Sequence, residues 1–303
     1  QLLRIHWLRP ETALWRTFDC LLMEKYGMIS GNAIDLGCGD GTMSFIMAGG
    51  KLQHYDVFMD VGNLENFNAG ADIHDQDPRF SPEIDNSGLR YQYSKGVDHK
   101  ESLVRKAGRF GAFYNQCVVG DLNGKLDCDD GSLDSGFSNI LYWLRDIEAV
   151  LSEWARVFRN GAHVHLFVPT ATFRQKAWLN YSAPHAGERR YLNFFDRGYS
   201  SLIQHCYSGH QWMKMFKAGG FSVVDHHLYL TNPVMELWNI GTRPIAPLLI
   251  RMANMLPPEN RERAIEAWVE HFGGFLTPII EGEMDRKVDE SQAAFHFFVL
   301  ERR

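Results

Sequence analysis

Cysteine is scarce and unpatterned in this chain of 303 residues: Cys20, Cys38, Cys117, Cys128 and Cys206 are odd in number and form no C-x-x-C pair. Such spacing argues against a disulfide framework or a bound metal, and makes a reducing, cytoplasmic setting the expectation. Basic charge is short as well. Lys and Arg total 31 against 37 Asp and Glu, a net charge of -6, so no global positive field favours nucleic acid as a partner. Long apolar runs are missing, which removes a bilayer-crossing helix from the expectations, and no signal-peptide pattern or internal repeat is present. Oligomeric state has no signature in the sequence.

What is there fits a globular protein with a sizeable core, 45% hydrophobic and 13% aromatic. The length suits one large domain, or one domain with a cap. Its organising stretch is Ala33 to Gly41, AIDLGCGDG, followed by the helix-forming run Thr42 to Ala48 and by Gly49 and Gly50 as a C-cap. Ala33, Ile34 and Leu36 read as a buried strand. Gly37, Gly39 and Gly41 then alternate through a turn where side chains would hold a ligand off the backbone. Asp35 sits inside the strand, where a carboxylate is costly unless donors reach it; a ligand ammonium or the turn's own amides would serve.

The pattern D-x-G-x-G-x-G resembles the first motif of the class I S-adenosylmethionine-dependent methyltransferases (type 11-like). The nearest competitor is the dinucleotide fingerprint G-x-G-x-x-G, whose third glycine would fall at Thr42. The resemblance implies an α/β fold: a doubly wound, Rossmann-like seven-stranded sheet with an antiparallel last strand. It also implies S-adenosyl-L-methionine as cofactor, S-adenosyl-L-homocysteine as product, and contact of Gly37, Cys38, Gly39 and Gly41 with the amino-acid end of the cofactor.

The remaining segments fall into line with that sheet. Gln1 to Tyr26 has helical periodicity, and the resemblance makes residues 1–30 a lid with His6, Arg9, Trp15 and Arg16 as candidates. Two acids compete for the ribose hydroxyls. Asp60 ends YDVFMD at the usual interval but leads into loop chemistry; Asp98 ends RYQYSKGVD and leads into an amphipathic helix and the strand QCVVGD, which is the required unit. Asp98 is therefore preferred, with His99 beside it, and residues 51–89 become an insertion. Gln116 to Gly120 is read as the third strand, with Asp121 and Leu122 at the adenine in the resembled family. Ser132 to Ile140 is the fourth strand, carrying Ser138 and Asn139 to its ligand-facing end.

Further on, Asp146 to Asn160 is expected as a helix with Val150, Leu151, Trp154, Val157 and Phe158 on one stripe, ended by Gly161. HVHLFVP is the fifth strand, His210 to Lys217 a helix, Ser222 to Leu230 the sixth strand and Ala293 to Leu300 the seventh. The S-adenosylmethionine-binding domain that the resemblance implies would thus span 31–230 and 291–303. Residues 231–290 hold three helical runs, too many for a simple connection, and are expected to form a helical cap. Pro244 to Leu256 can be read as a cap helix or as a helix lying on a membrane surface.

The expected chemistry is methyl transfer to a small-molecule acceptor: a hydroxyl of a sugar, lipid-linked glycan or secondary metabolite. A hydroxyl nucleophile needs a base, and histidine titrates in the right range. His205 and His185, in the aromatic-rich segment after the fifth strand, are the candidates. Tyr142 and Trp143 stand where the resembled family frequently carries histidine, and offer aromatic faces to a sulfonium; Tyr181, Arg189 and Tyr207 are the other candidate substrate contacts. A nicotinamide-dependent oxidoreductase or epimerase and a non-catalytic cofactor-binding protein are the alternatives.

Overall fold

Ala33, Ile34, Asp35 and Leu36 are all buried, a run typical of a strand covered on both faces. This strand, β1 (Ala33–Leu36), lies inside a seven-stranded sheet of order β5-β4-β1-β6-β7-β9-β8. Its partners are β4 (Tyr93–Asp98), β5 (Tyr114–Val119), β6 (Leu133–Ser138), β7 (Phe158–Pro169), β8 (Phe221–Thr231) and β9 (Ala293–Arg302). The first five in space are parallel, whereas β9 runs antiparallel to both β7 and β8. The expected Rossmann-like sheet with an antiparallel last strand is therefore observed. The computed structural model describes residues 1–59, 61, 80–177, 203–242, 245–284 and 286–303.

Helices cover both faces. On one side lie α1 (Leu2–Ile5), α2 (Pro10–Tyr26), α3 (Thr42–Met47) and α4 (Glu101–Ala107); α5 (Ile147–Val157) lies on the other. A short α6 (Phe173–Lys176) follows β7, and α7 (Gly209–Ala218) packs beside α5. Alternation along β9 feeds both layers: Phe295 meets Trp15 of α2 at 4.9 Å, while Phe298 meets Phe216 of α7 at 5.2 Å. Trp15, expected in a lid, is thus a core residue, also packed on Trp238 at 5.3 Å.

The helix expected over Asp146 to Asn160 ends earlier. Asp146 caps it by accepting from the Ala149 amide at 3.0 Å, and Val150, Leu151, Trp154 and Val157 are buried as the stripe requires. Phe158 to Asn160, however, belong to β7. The reason is tertiary: the Phe158 ring fills the space over Gly136, where even a Cβ would come within 2.5 Å of it, and Phe158 pairs with Leu133.

In the insertion 51–89, β2 (Lys51–Gln53) and β3 (Glu83–Asp85) form an antiparallel pair. YDVFMD is not a strand over its described residues. Asp56 turns the chain by accepting from the Phe58 amide at 2.9 Å, and its carboxylate takes a bidentate pair with Arg261 at 2.9 Å. Asp60 lies outside the described residues.

Arg261 belongs to the cap, which comprises α8 (Asn232–Ile240), α9 (Ala246–Asn254) and α10 (Pro258–Met284). Of the three helical runs expected in 231–290, the last becomes the long α10. Trp7, Leu8, Phe58, Val61, Ile250, Ala253 and Ile265 make a small second core where the cap, the insertion and the amino-terminal segment meet. Among the described residues no helix is long and apolar enough to cross a membrane.

Candidate functional site

The glycine turn leaves the carboxyl end of β1 in a conformation only glycine adopts freely, with φ of +90° at Gly37 and +57° at Gly39. The two positions face different surroundings. A Cβ on Gly37 would come within 2.3 Å of the Ile140 side chain, so this glycine is needed for packing; a Cβ on Gly39 would meet nothing within 4 Å. Gly39 is where the backbone opens onto space.

The amides of Gly37, Cys38, Gly39 and Gly41 are already committed. Gly37 and Cys38 donate to the Val97 carbonyl at 2.8 and 3.0 Å, and Gly39 donates to Asp98 Oδ2 at 3.0 Å. Thr42 donates to Asp40 Oδ1 at 3.0 Å. Because β4 lies beside β1 in register, Asp98 ends its strand next to the turn. Its Oδ1 accepts from the Lys100 amide at 3.0 Å and lies 3.4 Å from Nδ1 of the exposed His99. An ionised carboxylate offers about four acceptor positions, so Asp98 retains capacity for further donors.

Asp35 does not take the turn's amides. Its Oδ2 accepts from the Tyr114 hydroxyl at 2.6 Å, and its Oδ1, fully buried, has no hydrogen-bond partner among the described residues. Burial pushes its carboxyl up to about 6, helped by the charge of Asp98, while the Ser44 and Tyr114 hydroxyls pull the other way. Ser44 acts by proximity, without a formed hydrogen bond to Oδ1. The Tyr114 ring reaches Asp35 across Gly96 of β4, where a Cβ would come within 3.0 Å of it. Tyr114 is a residue the motif reading missed; a tyrosine opening one strand beside a glycine in the next is the only signal in the sequence. Burial also pushes the Cys38 thiol up, leaving it an apolar packing group.

Asp121 stands exposed past β5. Its Oδ1 accepts from the Asn123 backbone and side-chain N–H groups at 2.9 and 2.8 Å, which hold its carboxyl below the usual range, and Arg145 is 3.6 Å away. Leu122 beside it is buried. Val97, Val119, Gly120, Asp121 and Leu126 are among the residues lining a cleft of about 190 Å³ at this end of β4 and β5. A smaller cavity of about 100 Å³, between α2, β8 and the end of α10, is lined by none of the candidate residues.

At the end of β6, Ser138 is fully buried and its Oγ accepts from the Ile140 amide at 3.3 Å; Asn139 is half-buried. Tyr142 is buried with its ring edge-on to Phe295 at 5.8 Å, and Trp143 is partly exposed beside it. The segment carrying His205 docks here, since the amides of Gln204 and His205 both donate to the Tyr142 carbonyl at 3.2 Å.

Both ring nitrogens of His205 are engaged. Nε2 lies 2.8 Å from the Leu144 carbonyl, which can only accept, so Nε2 carries the proton; Nδ1 then accepts from the Tyr207 hydroxyl at 2.9 Å. The histidine expected as a free base is held in one tautomer between two partners. His185, Tyr181 and Arg189 lie outside the described residues. Of the remaining lid candidates, Arg16 pairs with buried Asp19 at 2.8 Å and Arg9 with buried Glu11 at 3.4 Å. No group of three or more His, Cys, Asp or Glu among the described residues is placed to hold a metal ion.

No family model and no curated protein matches the sequence. Among solved structures the chain is similar to the [4+2]-cyclase SpnF, at 12% identity over 95% of this chain and 80% of that one, with a TM-score of 0.48. It is similar to geranyl diphosphate C-methyltransferase from Streptomyces coelicolor A3(2), at 9% identity over 97% and 84%, TM-score 0.46. It is also similar to the YcgJ protein from Bacillus subtilis, at 13% identity over 95% and 99%, TM-score 0.45.

Proposed function

We propose that this chain binds S-adenosyl-L-methionine at the glycine turn and transfers its methyl group to a hydroxyl oxygen of a small molecule, such as a sugar, a lipid-linked glycan or a secondary metabolite. The observation that carries this reading is how the turn spends its amides. Phosphate recognition at a glycine turn uses free N–H groups aimed at the anion, whereas here those of Gly37, Cys38 and Gly39 are given to Val97 and Asp98. Two carboxylates, Asp35 and Asp98, lie against the same bend. Such a surface suits a cation better than a pyrophosphate.

The residues present fit the cofactor. Open space beside Gly39 admits its amino-acid end, the unused acceptor positions of Asp98 suit two ribose hydroxyls, and Asp121 with Leu122 offers an acceptor and an apolar contact for adenine. When bound, the sulfonium supplies an electrophilic methyl carbon, with the carbon–sulfur electron pair leaving on sulfur. The chain's own part is to hold the acceptor oxygen in line and exclude water, which alone supplies much of such an acceleration. Trp143, partly exposed past the end of β6, offers an aromatic face to a sulfonium, a contact worth about 0.5–2 kcal/mol towards a cation, while Tyr142 packs behind it. The acceptor's proton has a route through the Tyr207 hydroxyl to Nδ1 of His205, whose other nitrogen is anchored on Leu144.

Titration calorimetry with S-adenosylhomocysteine and with NAD tests the cofactor. Saturable binding of the former is expected, and saturable binding of NAD alone would reverse the assignment in favour of an oxidoreductase or epimerase. Labelled-methyl transfer to a small-molecule extract then separates an enzyme from a binding protein.

A further inference from the structure

Asp35 is an unusual group to leave half satisfied. It is fully buried, one oxygen has no partner, and it lies two residues ahead of the turn. A buried polar atom without a partner calls for an explanation, because its lost hydration is not repaid, the more so when the group is charged. The groups facing it come from every neighbouring element. They are Tyr91 and Tyr93 at the start of β4, Asp98 at its end, Tyr114 and Cys117 on β5, Cys38 in the turn and Ser44 on α3. Burial pushes the tyrosines and cysteines among them up, so they stay neutral near pH 7, and the remaining charge is that of Asp98. No cation among these groups offsets Asp35.

We propose that Tyr114 is a positioning residue for ligand binding at the glycine turn: its hydroxyl favours the ionised form of Asp35, and a ligand that brings an ammonium to the turn binds together with loss of whatever proton Asp35 still carries. The proposal rests on the cofactor reading above and adds to it a proton linkage and a residue outside the motif. Three features of geometry support it. The Tyr114 hydroxyl makes the single hydrogen bond that the Asp35 side chain forms among the described residues. The tyrosine is fixed from two sides, with its ring against Gly96 and within 3.0 Å of where a Cβ on Gly41 would stand. The carboxylate also titrates within reach of neutral pH, at about 6.

The linkage has a definite sign. The cationic ligand favours the charged carboxylate, so affinity is full above the Asp35 midpoint and is lost as pH falls through it. With a midpoint near 6, the charged fraction falls about tenfold between pH 7 and pH 5. Removing the Tyr114 hydroxyl raises the midpoint and moves that loss towards pH 7.

Two measurements test this. In the first, ¹³C NMR follows the Asp35 carboxyl in the ligand-free protein. A midpoint higher in Tyr114→Phe than in the wild type is expected, and an unchanged midpoint in a folded variant overturns the positioning role whatever the ligand. In the second, calorimetry with S-adenosylhomocysteine runs from pH 5 to pH 8 in buffers of different ionisation enthalpy. The wild type should lose about tenfold in affinity between pH 7 and pH 5 and release a proton on binding near pH 6, and Asp35→Asn should bind with a flat profile. Wild-type binding without proton release, or an Asp35→Asn profile as steep as the wild type's, overturns the linkage. If Tyr114→Phe does not fold, the wild-type proton count and Asp35→Asn decide alone. Absence of any S-adenosylhomocysteine binding by the wild type would overturn the cofactor reading and the linkage together, while the NMR titration would still judge Tyr114.

Discussion

Alanine at Gly39 and alanine at Gly37 should fail for different reasons, and the contrast tests whether the turn faces a ligand. Both glycines have positive φ, a conformation that costs an L-residue about 1–2 kcal/mol. At Gly39 nothing further is lost within the protein, since the new methyl group meets no atom within 4 Å. At Gly37 the methyl group would approach Ile140 to 2.3 Å, and overpacking of that kind adds about 1–3 kcal/mol. Calorimetric unfolding should therefore find Gly37→Ala the less stable variant by that margin. Titration with S-adenosylhomocysteine should reverse the order of concern: Gly39→Ala, folded and only mildly destabilised, should lose at least about tenfold in affinity, equivalent to about 1.4 kcal/mol. Its methyl group would occupy the space assigned to the ligand. Wild-type affinity in Gly39→Ala would refute that assignment.

Replacing Asp98 by alanine should weaken S-adenosylhomocysteine binding more than replacing Asp60 does, because Asp98 also fixes the Gly39 amide; the opposite ranking in calorimetry would return the ribose role to Asp60. Arg261→Ala strands the buried carboxylate of Asp56 and should cost about 3–5 kcal/mol in urea unfolding. The double replacement Asp56→Leu with Arg261→Met should cost far less, and equal losses would mean that the ion pair is not the cause. His165 is buried and neutral, its Nδ1–H donating to the Gly136 carbonyl and its Nε2 accepting from the Met28 amide, with burial lowering its titration to about 4. The unfolded chain therefore binds a proton below pH 6.5 that the folded chain refuses, and stability is lost as pH falls. By pH 5.5 this amounts to about 1 kcal/mol. The loss of unfolding free energy between pH 7 and pH 5.5, from urea unfolding, should shrink by that much in His165→Gln, and an unchanged loss would count against the neutral assignment.

The parts of this protein legible in its sequence are those whose causes are local. Glycines that need positive φ, an apolar run flanked by them and the stripe Val150, Leu151, Trp154 and Val157 are visible within a dozen residues, and the strands follow from them. Causes acting over long separations were hidden. Tyr114 and Asp35 are 79 positions apart, and Arg261 and Asp56 are 205 apart. Phe158 reads as the last residue of a helical stripe, yet its place over Gly136 draws it into a strand. His205 has the right chemistry for a base, but its anchors are the Leu144 carbonyl and the Tyr207 hydroxyl. Backbone carbonyls leave no trace in the letters of a sequence.

Strand β9 comes after every other described strand along the chain, yet it lies inside the sheet, and among the described strands β8 joins the sheet only through it. Between Thr231 and Ala293 translation takes roughly 3–12 seconds at about 5–20 residues per second. Until then the edge of β7 from His163 to Pro169, which pairs with β9 in the folded sheet, lacks that partner. An unpaired strand edge is a template for association with another chain, so the interval before β9 arrives is when the nascent sheet is open to such pairing.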